Sequence, residues 1–316
     1  AVVRLFRALG LAPAMAAGHS YGELVALTVA GGLPASDLTA LSEARGRFML
    51  EAADGDPGTM AAVKADEATV KSVLAELDDV GIANLNSPRQ TVIAGGEDAI
   101  TIAIRHFEER GIAARRIPVA AAFHSPRVAG AATALAAELR KVPIGPLVLP
   151  VYANVSAEPY HDDAIVDTLS RQLAEPVRFS ATLRAMARDG AGVFVECGPG
   201  RVMTRLVEQT LGDDVLAIGL DDEQGGGALV GLVALLGRLA AAGVPFDASV
   251  LTRDRAGRLD LGLEPVDRIL VAGRALWFYA RQLAWPSELT FIYPRWSIDA
   301  RSLVAWSFPL AAVAAT

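Results

Sequence analysis

The chain has 316 residues, 52% of them hydrophobic, a net charge of −7 and a pI near 5.2. That is enough apolar sequence for a sizeable core, as one large domain or two modest ones. The acidic balance and the lack of any Lys/Arg cluster exclude a phosphate-tracking nucleic-acid surface. One cysteine, Cys197, excludes an internal disulfide and fits a reducing compartment such as the cytoplasm. The four histidines, His19, His106, His124 and His161, have no metal-ligand spacing, so neither a metal nor a bound cofactor is expected.

The opening AVVRLFRALGLAP reads as the tail of a helix followed by a turn, without a signal-peptide pattern, and the chain is expected to be a piece of something longer on its N-terminal side. Ala14 to Ala17 read as a short strand leading into GHSYG, residues 18–22. YGELVALTVA then makes a good helix, closed by Gly31 and Gly32. A G-x-S-x-G pattern between strand and helix fits a nucleophile elbow, a sharp turn whose glycines allow close backbone packing while the serine hydroxyl is exposed. Ser20 would then sit at a helix N-terminus, where N–H groups and the helix dipole favour a developing anion, and Glu23 in the first turn suits the same field. The pattern also occurs in ordinary turns, and both readings stay open at this point.

Residues 37–52, DLTALSEARGRFMLEA, read as a helix with Ser36 as N-cap. Its apolar stripe runs Leu38, Leu41, Arg45, Phe48 and Ala52, which puts Arg45 on the inward face. A guanidinium there is costly unless it meets an anion. It snorkels to solvent, pairs with an internal carboxylate, or receives a substrate carboxylate.

Residues 61–117 read as strand, helix, strand, strand, helix, strand, the order of a ferredoxin-like unit inserted in a larger domain. His124, in VAAAFHSPRV, follows an apolar, strand-like run and precedes a Ser-Pro turn. That places it to reach a cleft as a base for Ser20, although position alone equally fits a turn histidine bonded to backbone. His19, beside Ser20, should point away from it. Apolar runs at 149–155 and 192–198 alternate with helical stretches at 129–141 and 226–242, predicting a largely parallel sheet with crossover helices. All four tryptophans lie in the last fifty residues, with Tyr279 and Tyr293. The closing LVAWSFPLAAVAAT is shorter than the roughly 20 residues of a membrane span. This tail reads either as an extension packing on the core or as an appended, membrane-proximal segment.

Six blocks, GHSYGELVAL, SEARGRFM, ANLNSPRQTVIAGG, AAFHSP, RQLAEPVRF and ECGPGRVMTRLV, over about residues 10–250, resemble in order and spacing the malonyl-CoA:acyl carrier protein transacylases and the acyltransferase domains of polyketide and polyunsaturated fatty acid synthases. The resemblance implies an α/β fold, an α/β-hydrolase-like large subdomain (1–60 and 123–250) carrying a ferredoxin-like small subdomain (61–122), followed by a linker and tail (251–316). It implies Ser20 as acylated nucleophile, His124 as general base, the Tyr21 N–H as half of an oxyanion hole, Arg45 as the cation for the free carboxylate of a malonyl or methylmalonyl group, and Gln172 as the residue that positions the histidine. Phe123 resembles the malonyl-selecting form of the family's specificity motif. One methyl is worth about 1–3 kcal/mol of discrimination. The implied substrate is malonyl-CoA, the implied partners an acyl carrier protein and neighbouring synthase domains, with membrane contact only if the tail is juxtamembrane.

The family's upstream Gly-Gln-Gly loop, source of the second oxyanion N–H, has no match in this sequence, so weakened activity and a raw sheet edge or apolar patch are expected. A serine hydrolase or thioesterase, which would want an acidic triad member, and an inactive fragment of a synthase are the competing readings.

Overall fold

The computed structural model describes residues 2–52, 57–220 and 227–251, together with 269–270 and 307. The aromatic tail read from the sequence lies almost wholly outside the described residues. The chain divides into two compact units, Ala1–Asp247 and Ala248–Thr316. In the second, the longest described element is a short 3₁₀ turn at Ala248–Leu251.

The first unit opens with α1 (Val2–Ala8), β1 (Ala16–Ala17), α2 (Gly22–Val29) and α3 (Leu38–Ala52). Then come β2 (Thr59–Val63), α4 (Glu67–Leu74), β3 (Val80–Ser87), β4 (Gln90–Gly95), α5 (Glu97–Glu109) and β5 (Ala114–Ile117). It continues with α6 (Ala129–Leu139), β6 (Val151–Tyr152), α7 (Ile165–Arg171), α8 (Phe179–Arg188), β7 (Val193–Glu196), α9 (Val202–Leu211), β8 (Leu216–Gly219) and α10 (Gly227–Ala241).

β2 to β5 form one antiparallel sheet in the order β3-β4-β2-β5, with α4 and α5 as the crossing helices. Local chemistry sets the helix starts: the Asp66 side chain caps α4 by accepting from Thr69 N–H at 2.8 Å, and Glu97 and Asp98 occupy the first turn of α5. The period-2 alternation of β2 sorts its side chains between two cores. Ala61 and Val63 face Val70, Val73, Ile100, Ala103 and Phe107 of the helices. Met60 faces the other way, with Ala83, Val92 and Ala94, onto Ala122 and Phe123. The second face of this sheet therefore supports the loop that carries His124.

The remaining strands are parallel, as the sequence predicts, but form two separate pairs, β1 with β6 and β7 with β8. Each of β1 and β6 has only two residues, too short to extend a ladder, and β1 and β7 are half-buried along their whole length. The second large core lies under α2, α3, α6 and α7, built on Leu24, Leu27, Leu41, Leu135, Leu139 and Leu169. Two local readings need correction. The apolar run before His124 is not a strand: β5 ends at Ile117, and residues 118–123 are irregular, because they pack as a loop between cores rather than pairing. Ser36 is not the cap of α3, which begins at Leu38 and whose Leu41 N–H bonds back to Asp37.

Candidate active site

The serine turn is built by close packing. A methyl at Gly18 would stand 1.9 Å from the carbonyl carbon of Gly22, whereas one at Gly22 would meet nothing within 4 Å. The first glycine of the pattern is thus demanded by backbone contact and the second is not. Gly18→Ala is expected to cost about 2–4 kcal/mol or to prevent folding, since backbone must move to admit the methyl, while Gly22→Ala is tolerated; thermal unfolding of the two variants checks this. Ser20 itself has φ 52°, in the left-handed region that non-glycine residues avoid. What holds it there is Asn154, just after β6: its Oδ1 accepts from Ser20 N–H at 2.7 Å and its Nδ2 donates to Gly18 O at 2.7 Å.

His124 is also left-handed, at φ 55°, and buried. Its N–H donates to Leu173 O at 3.0 Å and its Nδ1 lies 2.8 Å from Gln172 O. A carbonyl oxygen can only accept, so Nδ1 carries the proton and Nε2 is left with a lone pair. Nε2 lies 2.6 Å from Ser20 Oγ and accepts its proton. Burial lowers the histidine's pKa to about 4, with the Arg45 charge adding to the effect, so the ring is neutral and able to accept at neutral pH. The Gln172 side chain reaches the serine from beneath: Nε2 donates to Ser20 O at 2.7 Å.

Arg45, on α3, is 8% exposed, and its Nη2 donates to Ser20 Oγ at 3.2 Å. At 8% exposure it does not snorkel, and no carboxylate lies within ion-pair distance of it among the described residues, although the buried Glu23 attracts it through space. Burial lowers its pKa, yet a guanidinium stays charged, and this one faces the nucleophile with unused donors. The Tyr21 N–H has no acceptor among the described residues, whereas Gly22 and Glu23 N–H bond back to His19 and Ser20 carbonyls. Tyr21 Oη lies 2.9 Å from Ser42 Oγ, one helical turn from Arg45. Phe123 is half-buried against Ala122 and Val128. His19 turns away as expected, its Nε2 2.7 Å from Asn86 Oδ1 and its ring edge-on to Phe179.

Two participants escaped the sequence reading. Asn154 is 134 residues from Ser20 and had no local signal. Glu23, read as a first-turn anion, is wholly buried, with Tyr160 Oη, Asn154 N–H and Gln172 Nε2 all donating to its carboxylate. Burial raises its pKa from 4.5 to about 7 against the pull of those bonds. The folded protein therefore holds Glu23's proton more tightly than the unfolded chain, and this contribution to stability is lost as pH rises from about 4.5 to 7. His124, lowered to about 4, acts oppositely, since its contribution grows as pH rises from about 4 to 6.5. Each is worth about 3 kcal/mol. Glu23→Gln should unmask the histidine, so that stability climbs with pH from 4 to 6.5 more steeply than in the wild type, as read by denaturant unfolding at several pH values.

A serine in a strained turn, paired with a neutral histidine whose other nitrogen is fixed by a backbone carbonyl, defines a protein of the acyl-transferring, nucleophile-elbow class. The sequence model of the acyl transferase domain family matches residues 1–243, and the chain belongs to that family. It is 40% identical over 203 residues to a polyketide biosynthesis protein of Burkholderia thailandensis, covering 63% of this chain and 17% of that protein. It is 37% identical over 219 residues to the malonyl CoA-acyl carrier protein transacylase of Escherichia coli K12, covering 67% of this chain and 71% of the relative. A type II polyketide synthase malonyl-transacylase, solved in complex with its acyl-carrier protein, superposes with a TM-score of 0.69 at 31% identity, over 75% of this chain and 77% of that one. Among the described residues there is no cluster of His, Cys, Asp and Glu that could hold a metal ion, and no helix long and apolar enough to cross a membrane.

Proposed function

We propose that this chain moves a malonyl group from CoA to the phosphopantetheine thiol of an acyl carrier protein through an acyl-Ser20 intermediate. One observation carries the substrate class: the buried Arg45 guanidinium lies 3.2 Å from Ser20 Oγ, with no carboxylate in ion-pair contact among the described residues. A buried cation beside the nucleophile, with no ion-pair contact among the described residues, favours an acyl group with a second, anionic end, held by a bidentate pair.

His124 Nε2 takes the hydroxyl proton as Ser20 Oγ attacks the thioester carbonyl. The Tyr21 N–H, at the start of α2, is the donor placed for the oxyanion. The C–S bond breaks, the proton passes from His124 to the departing sulfur, and CoA leaves as thiol. The carrier thiol then gives its proton to His124 and attacks the malonyl ester, and Ser20 recovers the proton as the C–O bond breaks. Arg45 holds the distal carboxylate throughout, which fixes the pose. Gln172 positions His124 through its backbone carbonyl and braces the serine turn through its side chain. Phe123 would favour malonyl over methylmalonyl by crowding the α-carbon.

The malonyl-transacylases and polyketide synthase proteins among the relatives support this reading, as does the solved carrier complex for the partner. The antiparallel unit of residues 59–117 is read as a ferredoxin-like subdomain set into an α/β-hydrolase-like large subdomain, with the boundaries expected from the sequence. The cytoplasm, rich in CoA thioesters and reducing enough for Cys197, is the proposed setting. A hydrolase is disfavoured because the partner of His124 Nδ1 is a carbonyl, Gln172 O, rather than a carboxylate. The test is to mix the protein with malonyl-CoA and a holo acyl carrier protein and to read the carrier's mass. Malonylated carrier is expected; free malonate without loaded carrier would mean a hydrolase.

A further inference from the structure

The buried carboxyl of Glu23 has no part in the steps above, yet it bonds to Asn154 and Gln172, the two residues that hold the reacting pair. Its Oε1 accepts from Tyr160 Oη and from Asn154 N–H at 3.2 Å, and its Oε2 accepts from Gln172 Nε2 at 3.1 Å. The same Asn154 clamps Gly18 and Ser20, and the same Gln172 donates to Ser20 O and accepts from His124 Nδ1. We propose that Glu23 is a positioning residue for acylation of Ser20, its buried carboxylate gathering Tyr160, Asn154 and Gln172 so that the serine turn and the histidine loop are held at hydrogen-bond distance. This rests on reading Ser20 and His124 as the acyl-transfer pair.

The hydrogen-bond chemistry gives the carboxylate two settings. Gln172 Nε2 serves both Ser20 O and Glu23, while its Oε1 is buried with no hydrogen-bond partner among the described residues. An ionised Glu23 only accepts, so it fixes the amide nitrogen toward the serine. A protonated Glu23 donates, and the acceptor left idle beside it among the described residues is Gln172 Oε1. Turning the amide to meet that proton removes its N–H from Ser20 O and sets two oxygens against each other. Neutralising Glu23 therefore loosens the brace under the nucleophile without touching Arg45's side chain. The other ionisable groups facing this network are Tyr160, held well above its ordinary value by burial and by Glu23, Arg45, which stays protonated, and His124 and His19, both lowered by burial. His124, lowered to about 4, is neutral above pH 6, whereas Glu23, pushed up to about 7, changes charge between pH 6 and 8.

The experiment uses the whole chain and two readouts of Ser20, the rate of labelling by a small fluorophosphonate and the rate of malonyl loading from malonyl-CoA, each from pH 5.5 to 8.5. In the wild type both rates should rise through an inflection near pH 7. Glu23→Gln should lower both on the order of 10²-fold, the cost of a slightly misplaced reacting group, and abolish the inflection. Tyr160→Phe, which keeps its bulk but removes one donor to the carboxylate, should move the inflection to higher pH. A wild-type rate and profile in Glu23→Gln would overturn the proposal. Should that variant fail to fold, an unmoved inflection in Tyr160→Phe would overturn it. Phosphonate labelling that follows Glu23, with no malonyl loading in the wild type, would support the positioning role and reject the malonyl reading. Malonyl loading indifferent to Glu23 would do the reverse.

Discussion

His124→Ala is expected to slow acylation of Ser20 by about 10² to 10⁴-fold, the usual worth of a positioned general base. The imidazole sits 2.6 Å from the hydroxyl, already in the tautomer that accepts its proton, because Gln172 O takes the hydrogen on Nδ1. Removing the ring leaves the Ser20 hydroxyl with Arg45 as its side-chain partner among the described residues, and a cation donates to the hydroxyl oxygen without taking its proton. Binding of malonyl-CoA should change little, since no part of the ring is needed for the distal carboxylate. The loss should therefore fall on the single-turnover rate rather than on its half-saturating concentration. Rapid-quench intact-mass measurement separates the two. A His124→Ala rate within a few-fold of wild type would show that another group takes the proton.

Arg45→Ala is the second large effect, and it concerns selectivity as much as rate. Malonyl loading should fall by about 10² to 10³-fold, as expected when charge-assisted bonds worth some 3–4 kcal/mol are lost. Acetyl loading should fall far less, because an acetyl group has nothing for the guanidinium to hold. Arg45 keeps some exposure to solvent and lies beside the polar Ser20 Oγ, so water is expected to take the place of the side chain and the fold to survive. A second consequence follows from charge: Arg45 depresses the basicity of His124 and opposes the rise of Glu23's pKa. Without it both groups should hold their protons to higher pH, and the pH profile of Ser20 labelling should move upward accordingly. Competition between malonyl-CoA and acetyl-CoA on one sample measures the selectivity directly, and an unchanged ratio would remove Arg45 from the acyl pocket.

What was legible in the sequence was whatever a short window carries. The serine turn and α2 follow from small residues, an apolar helix and Gly31 at its end, where φ is 86°. The order of β2 to β5 with their helices follows from alternating periods, and the inward direction of Arg45 from a stripe with one charged position. What was not legible depended on segments far apart. Position alone left His124 undecided because its role is fixed 48 residues downstream, by the carbonyl of Gln172. Asn154 lies within the apolar run at 149–155 with no local mark of a role, and only the fold brings it under Gly18 and Ser20. Glu23 was placed in the first turn of α2, where it lies, but nothing local shows that Tyr160 and Gln172, 137 and 149 residues away, will close over it. The loop before His124 looked like a strand because it is apolar; its apolar residues are there to fill the gap between the sheet of β2 to β5 and the larger core.

The most direct test is the mass of a peptide. After brief mixing with malonyl-CoA and acid quench, digestion should yield the fragment containing Ser20 with one malonyl group esterified to that side chain. The label should discharge when a phosphopantetheine thiol is added and be absent from Ser20→Ala. An unmodified Ser20 peptide under conditions where malonyl-CoA is consumed, or a malonyl group carried by another residue, would contradict the acyl-serine mechanism.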